Sequence, residues 1–468
     1  MKMRRATVSF KTVGCRLNQA ETALIRASFE EAGFKTIRFG EPCDVCVIHG
    51  CVVTSKAEED SLRLARSIKN RYPDAFVVLA GCAAEFIFRY KVATPFCHSR
   101  ANGNPEGLCL DSRLRGNDKP FSTRDKQCNI KIPMRQHTDA DFLAGQKVKF
   151  NLPAILSLGG LNPEERPQNI LPRFDTQRAI VKIQDGCDFH CAYCIVPSVR
   201  GAARSRPAAE IIEEISKLTL CGFPEIVLTG ANIGCYADGA GRLPQLLEKV
   251  EAIPSLRRFR ISSLEISTVE REVIDFMASS KKMCVFLHLP MQSGSNSILK
   301  AMGRPYTAEK YFSIIDFARK KLALFGLGTD IIVGFPGETA GDFEATVEIV
   351  RNLPFSKLHV FSYSPRPGTP ASSIPEQVPA KEKEMRSVRL IELGRQKRNE
   401  FAQSLVGKQA SVLVEKVMPE GWAEGWTGEY MRARVKTTSL QRKQMAQFVC
   451  ESAVDDILFG TLESGMDH

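Results

Sequence analysis

Between residues 7 and 82 one pattern of apolar and polar positions recurs three times. An apolar run is followed by Gly-Cys, and then by a stretch whose apolar residues are spaced for one face of a helix. Val8-Ser9-Phe10 leads to Gly14-Cys15, with an amphipathic helix predicted from Gln19 to Ala32. Val45-Cys46-Val47-Ile48 leads to Gly50-Cys51, with a helix from Ser55 to about Asn70, and Phe76-Val77-Val78-Leu79 leads to Gly81-Cys82. Strands alternating with helices predict a parallel sheet, and the loops at its carboxyl edge are where ligands bind. Cys15, Cys51 and Cys82 are therefore expected on three loops of one edge, although each is more than thirty residues from the next. The plainer alternative is three unrelated packing thiols, since free cysteine is often buried.

Farther along, six apolar runs alternate with helical stretches: Val181–Ile183, Ile226–Leu228, Phe259–Ser262, Val285–Leu289, Thr329–Val333 and Leu358–Phe361. Units of this kind predict an α/β fold, a barrel or part of one, with its site at the strands' carboxyl ends. Polar residues gather at those ends: Thr229-Gly230-Ala231-Asn232, Ser263-Leu264-Glu265, His288 to Gly294, Gly334 to Thr339, and His359 with Tyr363 to Arg366. His288 and His359 read as polar residues lining the mouth, with no catalytic role assigned. A charged helix is expected over residues 380–398, with seven basic and three acidic residues. From Gly407 to about Leu462 the period changes to short alternating strands, Ala410–Val414, Gly428–Val435 and Val449–Ser452.

Two stretches break the pattern. Residues 98–127 hold six apolar residues in thirty, with Asn-Gly, Asn-Pro and Lys-Pro breakers, and suggest a poorly ordered insert spanning about 86–135. Its cysteines, Cys97, Cys109 and Cys128, are then incidental. Residues 151–172 are proline-rich and read as a linker. The resulting division is a first domain over residues 5–150, a second over 173–403 and a third over 404–464.

Composition narrows the function. The 468 residues are 43% hydrophobic and 25% charged, ordinary for a globular protein of several domains. The longest apolar runs fall far short of the ~20 residues of a membrane span, and no apolar segment follows the basic start. Fifteen cysteines in such a chain indicate metal ligands or reduced thiols rather than a disulfide scaffold, and hence the cytoplasm. A net charge of +11 favours a polyanionic partner.

The most specific chemistry lies in Gly186-Cys187-Asp188-Phe189-His190-Cys191-Ala192-Tyr193-Cys194, where three thiols are spaced C-x3-C-x2-C. Soft thiolates suit zinc or an iron–sulfur cluster. Zinc would want a fourth ligand, and the next cysteine, Cys221, stands alone, leaving only His190. Three ligands on one loop suit a four-iron cluster with one iron open to a non-protein ligand. The spacing resembles that of the radical S-adenosylmethionine (SAM) superfamily. The wider string Gln184 to Pro197 with Arg200-Gly201, and Gly14-Cys15-Arg16-Leu17-Asn18-Gln19-Ala20-Glu21-Thr22, resemble the methylthiotransferase branch, and within it the enzymes acting on N6-threonylcarbamoyladenosine of tRNA.

The resemblance implies a first domain of parallel α/β type, a partial (β/α)6 barrel and a small C-terminal RNA-binding β-barrel (TRAM). It implies that Cys187, Cys191 and Cys194 hold a [4Fe–4S] cluster that cleaves SAM to a 5′-deoxyadenosyl radical. Cys15, Cys51 and Cys82 would hold a second [4Fe–4S] cluster carrying the sulfur to be transferred. Tyr193, Gly230, Asn232, Ser263, Glu265, Gln292 and Arg304 would contact SAM. Arg432, Arg434 and Lys436 share one strand face by their period of two and would contact RNA; Trp422 and Trp426 would stack on bases or serve in packing. Partners implied are tRNA and a reductant such as flavodoxin, with no membrane and a monomeric state. One departure is His49-Gly50, where the family usually has Asn-Thr before its second cysteine. Related readings are a methylthiotransferase for isopentenyladenosine tRNA or for a ribosomal-protein aspartate. A non-catalytic iron–sulfur RNA-binding protein is the reading from another class.

Overall fold

The computed structural model describes residues 6–91, 140–153, 171–437 and 439–462. The chain packs as two compact units, one of Met1–Gly14, Ile25–Val52 and Lys56–Ile170, the other of Cys15–Leu24, Val53–Ser55 and Leu171–His468.

In the first unit, strands β1 (Thr7–Thr12), β2 (Lys35–Thr36), β3 (Val45–Gly50), β4 (Phe76–Gly81) and β5 (Phe142–Ala144) form one parallel sheet in the order β2-β1-β3-β4-β5. β3 is buried along its whole length, which is why it reads as a continuous apolar run rather than an alternating one. Helices α1 (Arg16–Glu31), α2 (Ser55–Arg71) and α3 (Cys82–Tyr90) follow β1, β3 and β4. Ile25 and Phe29 of α1 pack on Val8, Val45, Val47 and Val78 of the sheet. The expected insert begins later than its composition suggests. α3 continues to Tyr90, with Phe86 and Ile87 buried, because those apolar residues are the inward face of a helix. The rest of the expected insert, from residue 92, lies outside the described residues, as do Cys97, Cys109 and Cys128; so does most of the expected linker, residues 154–170.

The second unit contains six parallel strands: β6 (Arg178–Lys182), and, after a short hairpin of β7 (Gln184–Asp185) with β8 (Arg204–Ser205), β9 (Glu225–Thr229), β10 (Arg258–Ile261), β11 (Phe286–His288), β12 (Gly326–Val333) and β13 (Lys357–Ser362). They form two three-stranded sheets, β10-β9-β6 and β11-β12-β13. Backbone bonds from Phe259 N to Lys282 O and from Cys284 N to Phe259 O bridge the two, giving the partial barrel expected. Helices cover its outer face through a core that includes Ala179, Val181, Ile226, Leu228, Leu327 and Val333. Alternation then turns Ile180 and Val227 inward, where Ala20 from the first half of α1 packs against them.

The long helix Ala380–Ser404 leads into a closed barrel of β14 (Gln409–Met418), β15 (Trp422–Thr427), β16 (Arg432–Lys436), β17 (Met445–Val454) and β18 (Ile457–Leu462), in the order β14-β15-β16-β18-β17. The single strand expected over Gly428–Val435 is in fact a turn followed by β16. Tyr430 sits in that turn with a left-handed φ of 67°, which no strand accepts. Tyr430 stacks on Trp426 and meets Phe286 at the start of β11, with ring centroids 5.0 Å apart in each case. Arg16 donates to its hydroxyl at 2.7 Å, and Lys357 lies 4.2 Å above its ring. Burial alone would raise the phenol's pKa, but Arg16, Lys357, Arg178 and Arg260 outweigh it and bring it down to about 8. Beside this plug, Arg258 and Arg260 share the buried Glu225 and reach the carbonyls of Ser411, Trp426 and Thr427, tying the small barrel to the strand starts.

Candidate active site

The cysteine loop leaves the carboxyl end of β6 through Gly186, whose φ is 69° and where a Cβ would stand 1.9 Å from the Ala202 carbonyl oxygen. Only glycine fits there. Backbone bonds then fix the loop: Cys187 N to Gly201 O, Cys194 N to Cys191 O and Ala192 N to Met302 O, at 3.1, 3.0 and 2.8 Å. All three thiols are free, Cys191 buried and the other two half-buried. Burial raises the Cys187 thiol and pushes that of Cys194 up to about 12, so thiolates here need a nearby cation. Arg304 supplies one contact, its Nη1 donating to Cys191 Sγ at 3.2 Å. A metal supplies more, because it deprotonates the thiols it binds.

The donor set bears on zinc against a cluster. His190, the fourth protein ligand that a closed zinc site would require, is exposed. Three thiols on one loop fit a four-iron cluster with three protein ligands better than a four-ligand zinc.

Gln184, two residues past β6, organises the neighbouring loop. Its side-chain nitrogen donates to the carbonyls of Asp185 and Gly186, and its Oε1 accepts from Asn232 N at 2.8 Å. Gly230 makes room for this contact, since a Cβ there would stand 2.9 Å from Gln184 Oε1. The Asn232 side chain hydrogen-bonds to the Cys187 thiol and lowers it. Glu265 pairs with Arg304 and accepts from Ile266 N. Arg304 Nε is buried with no hydrogen-bond partner among the described residues, a donor left over for a bound anion. Ser263, just past the end of β10, is exposed. Gln292 takes a φ of 65° because Asp330 O and Ile332 N hold its backbone from both sides. Tyr193, Cys194, Gln292, Asp330, Phe361 and Tyr363 border one cavity of about 180 Å³.

The first half of α1 is anchored to the same loop. Buried Arg200 donates to Asn18, Glu21 and Asp185, and Lys182 donates to Glu21 and Asp185. The string after Cys15 and the string around Cys187 thus meet through side-chain bonds.

Residues 181–350 match the radical SAM superfamily, and residues 7–90 match Uncharacterized protein family UPF0004. The threonylcarbamoyladenosine tRNA methylthiotransferase MtaB of Aquifex aeolicus is 32% identical over 87% of this chain and 92% of its own length. That of Bacillus subtilis is 33% identical over 92% and 91%. The chain belongs to the radical SAM methylthiotransferase family. A further relative, the tRNA-2-methylthio-N(6)-dimethylallyladenosine synthase of Thermodesulfovibrio yellowstonii, is 31% identical over 91% of both chains. The fold is shared with the radical SAM methyltransferase TsrM of Kitasatospora setae, at a TM-score of 0.51 and 14% identity over 78% of this chain and 75% of that one. As a radical SAM methylthiotransferase, this chain is an alkylthio-transferring enzyme that uses SAM and a [4Fe–4S] cluster. Among its described residues no helix is long and apolar enough to cross a membrane.

The earlier cysteines of this family member sit at strand ends. Cys51 and Cys82 directly follow Gly50 and Gly81, which are paired across β3 and β4, and both thiols are buried. Cys15, exposed, immediately precedes α1. At the His49-Gly50 departure, the buried His49 ring fills the space over Gly81, where a Cβ would stand 2.2 Å from it. On β16, Arg432, Arg434 and Lys436 do share a face, with Ala433 and Val435 buried behind it. Two of those cations are partly neutralised, because Arg432 and Arg434 both bind Glu424. Trp426 is committed to packing on Tyr430, its Nε1 donating to Glu415, while Trp422 is half-buried edge-on to Phe459. Sequence reasoning passed over Asp330 and Phe361; a carboxylate in the middle of an apolar strand was the available signal for the first.

Proposed function

We propose that this chain converts N6-threonylcarbamoyladenosine of tRNA to its 2-methylthio derivative, using two [4Fe–4S] clusters. The observation that carries the reading is the Cys187/Cys191/Cys194 loop, three free thiols on one bend of backbone, in a chain about one-third identical over nearly its full length to enzymes named for that substrate. Cys187, Cys191 and Cys194 would hold one cluster, which would supply the electron that cleaves SAM bound beside it. Arg304 and Glu265, paired beside Cys191, meet the charged end of SAM, and the unpartnered Arg304 Nε suits its carboxylate. Asn232, held by Gln184, and Tyr193 and Gln292, on the cavity wall, complete that contact, with Gly230 and Ser263 at its edge. Cys15, Cys51 and Cys82, each just beyond the carboxyl end of a parallel strand, would hold the second cluster, which would supply the sulfur to be transferred.

An aromatic C–H bond offers no acid–base route, and the bound cofactors supply the one-electron chemistry it requires. The protein's part is positional. The Arg200–Glu21–Asp185 network keeps the helix after Cys15 fastened to the other cysteine loop. Arg432, Arg434 and Lys436 meet tRNA phosphates, and a reductant such as flavodoxin supplies electrons. Two measurements test the reading. Anaerobically prepared protein is expected to hold about eight irons per chain, and a value near four would remove the second cluster. Mass analysis of tRNA nucleosides from a deletion strain is expected to show loss of the 2-methylthio-threonylcarbamoyl nucleoside; its persistence would overturn the substrate.

A further inference from the structure

Three strands of the barrel aim side chains at one point. His288 ends β11, and Asp330 and His359 lie directly opposite each other on β12 and β13. His288 Nε2 is 3.0 Å and His359 Nδ1 2.9 Å from the same oxygen, Asp330 Oδ1. The arrangement is built in: Gly328 pairs with His288, and a Cβ there would stand 2.5 Å from His288 Nδ1, so only glycine leaves room for that ring. Although burial alone would raise it, the two imidazoles hold the Asp330 carboxyl well below the usual range. An ionised carboxylate can only accept, so both ring nitrogens donate to it, and the tautomers follow. His359 Nε2 is then an acceptor in the neutral ring.

Two acceptors are left over at this point. Neither the second oxygen of Asp330 nor His359 Nε2 has a hydrogen-bond partner among the described residues. Asp330 borders the cavity that Tyr193 and Cys194 of the cysteine loop also line, and the His359 side chain is 42% exposed. Phe361, two residues on and so on the same strand face, borders that cavity too and is 40% exposed, its ring 6.4 Å from that of His359. An exposed flat ring beside paired acceptors is suited to a nucleobase that stacks on the one and presents donors to the other.

We propose that His288, Asp330 and His359 form a reading site for hydrogen-bond donors on a polar N6 substituent of the substrate adenine, which stacks on Phe361. This rests on the substrate reading above and deepens it. A threonylcarbamoyl group offers a ureido N–H and a hydroxyl to those acceptors, with its own carboxylate turned away from the ionised Asp330, whereas a dimethylallyl group offers neither donor. Discrimination comes from the contrast, because the bound base covers these acceptors and a substituent without donors strips them of water while giving nothing back.

The test is steady-state kinetics of the holoenzyme on tRNA carrying either the threonylcarbamoyl or the dimethylallyl group, with iron content measured in parallel. His359→Asn keeps a donor where Nδ1 stood, and so the tie to Asp330, but has nothing at the Nε2 position; His359→Gln places a polar atom there. For the threonylcarbamoyl tRNA, His359→Asn is expected to lower kcat/KM by about ten- to a hundredfold, mostly through KM, with iron retained and partial rescue by His359→Gln. Unchanged kinetics of His359→Asn would overturn the inference, as would loss of cluster iron in step with activity. So would a stoichiometric additional zinc or manganese bound by wild type and lost in His359→Asn, since the three side chains would then be metal ligands. Wild-type activity on the dimethylallyl tRNA alone would overturn the substrate reading and this inference together; wild-type activity on the threonylcarbamoyl tRNA with an indifferent His359→Asn would overturn only the latter.

Discussion

Glu225→Ala tests how the small C-terminal barrel is held to the larger one. Glu225 is fully buried and accepts from Arg258 Nε at 2.7 Å and Arg260 Nε at 2.6 Å. Removing it leaves two guanidiniums, 5% and 1% exposed, without a counter-charge. Breaking a buried pair in this way costs about 3–5 kcal/mol. The lower end applies here, because Arg258 and Arg260 keep their bonds to the carbonyls of Ser411, Trp426 and Thr427. Urea unfolding followed by tryptophan fluorescence reads the effect directly, since both tryptophans, Trp422 and Trp426, lie in β15. With a urea dependence of about 2 kcal/mol per M, a loss of 3 kcal/mol lowers the midpoint by about 1.5 M. Replacing all three residues together, with Arg258→Met and Arg260→Met added, is expected to recover part of that loss, because no buried charge is then uncompensated although the carbonyls of Ser411, Trp426 and Thr427 lose their donors. The pH dependence has a definite sign. Burial alone would raise the Glu225 carboxyl, yet Arg258 and Arg260 bring it down from 4.5 to about 2. A depressed carboxyl contributes stability that is fully present above pH 4.5 and is lost as the pH falls toward 2. A midpoint shift below about 0.3 M for Glu225→Ala, or a triple variant no better than the single one, would refute the reasoning.

Two other outcomes follow from local geometry. Gly186→Ala would put a Cβ 1.9 Å from the Ala202 carbonyl at a left-handed φ, so the variant is expected to lose the iron held by Cys187, Cys191 and Cys194 while the circular dichroism of the chain is kept; full iron content would contradict it. Tyr430, brought down to about 8, is expected to give a tyrosinate absorbance step near pH 8 that Tyr430→Phe removes, with stability rising between about pH 8 and 10 as the phenolate forms among its four cations; a step unchanged in the variant would assign it elsewhere.

Much of the molecule was legible in the chain. Most of the inner strands and the second and third strand–Gly-Cys repeats appear as apolar runs because central parallel strands such as β3, β9 and β10 are buried on both faces, so their signal needs no knowledge of partners. The C-x3-C-x2-C loop was legible because its three ligands are local to one turn of backbone. Tertiary structure alone decided the rest. The bend of that loop is set by Gly186 against the Ala202 carbonyl and by the Met302 carbonyl, far along the chain. Glu225 with Arg258 and Arg260, Glu21 with Arg200, and Tyr430 with Arg16 join residues far apart in the sequence, and no periodicity encodes such pairs. The same holds for His288, Asp330 and His359, which read separately as polar residues at a barrel mouth. Strand register sets Asp330 opposite His359, and the missing side chain of Gly328 lets His288 lean into the same oxygen, so their common focus exists only once the strands are aligned.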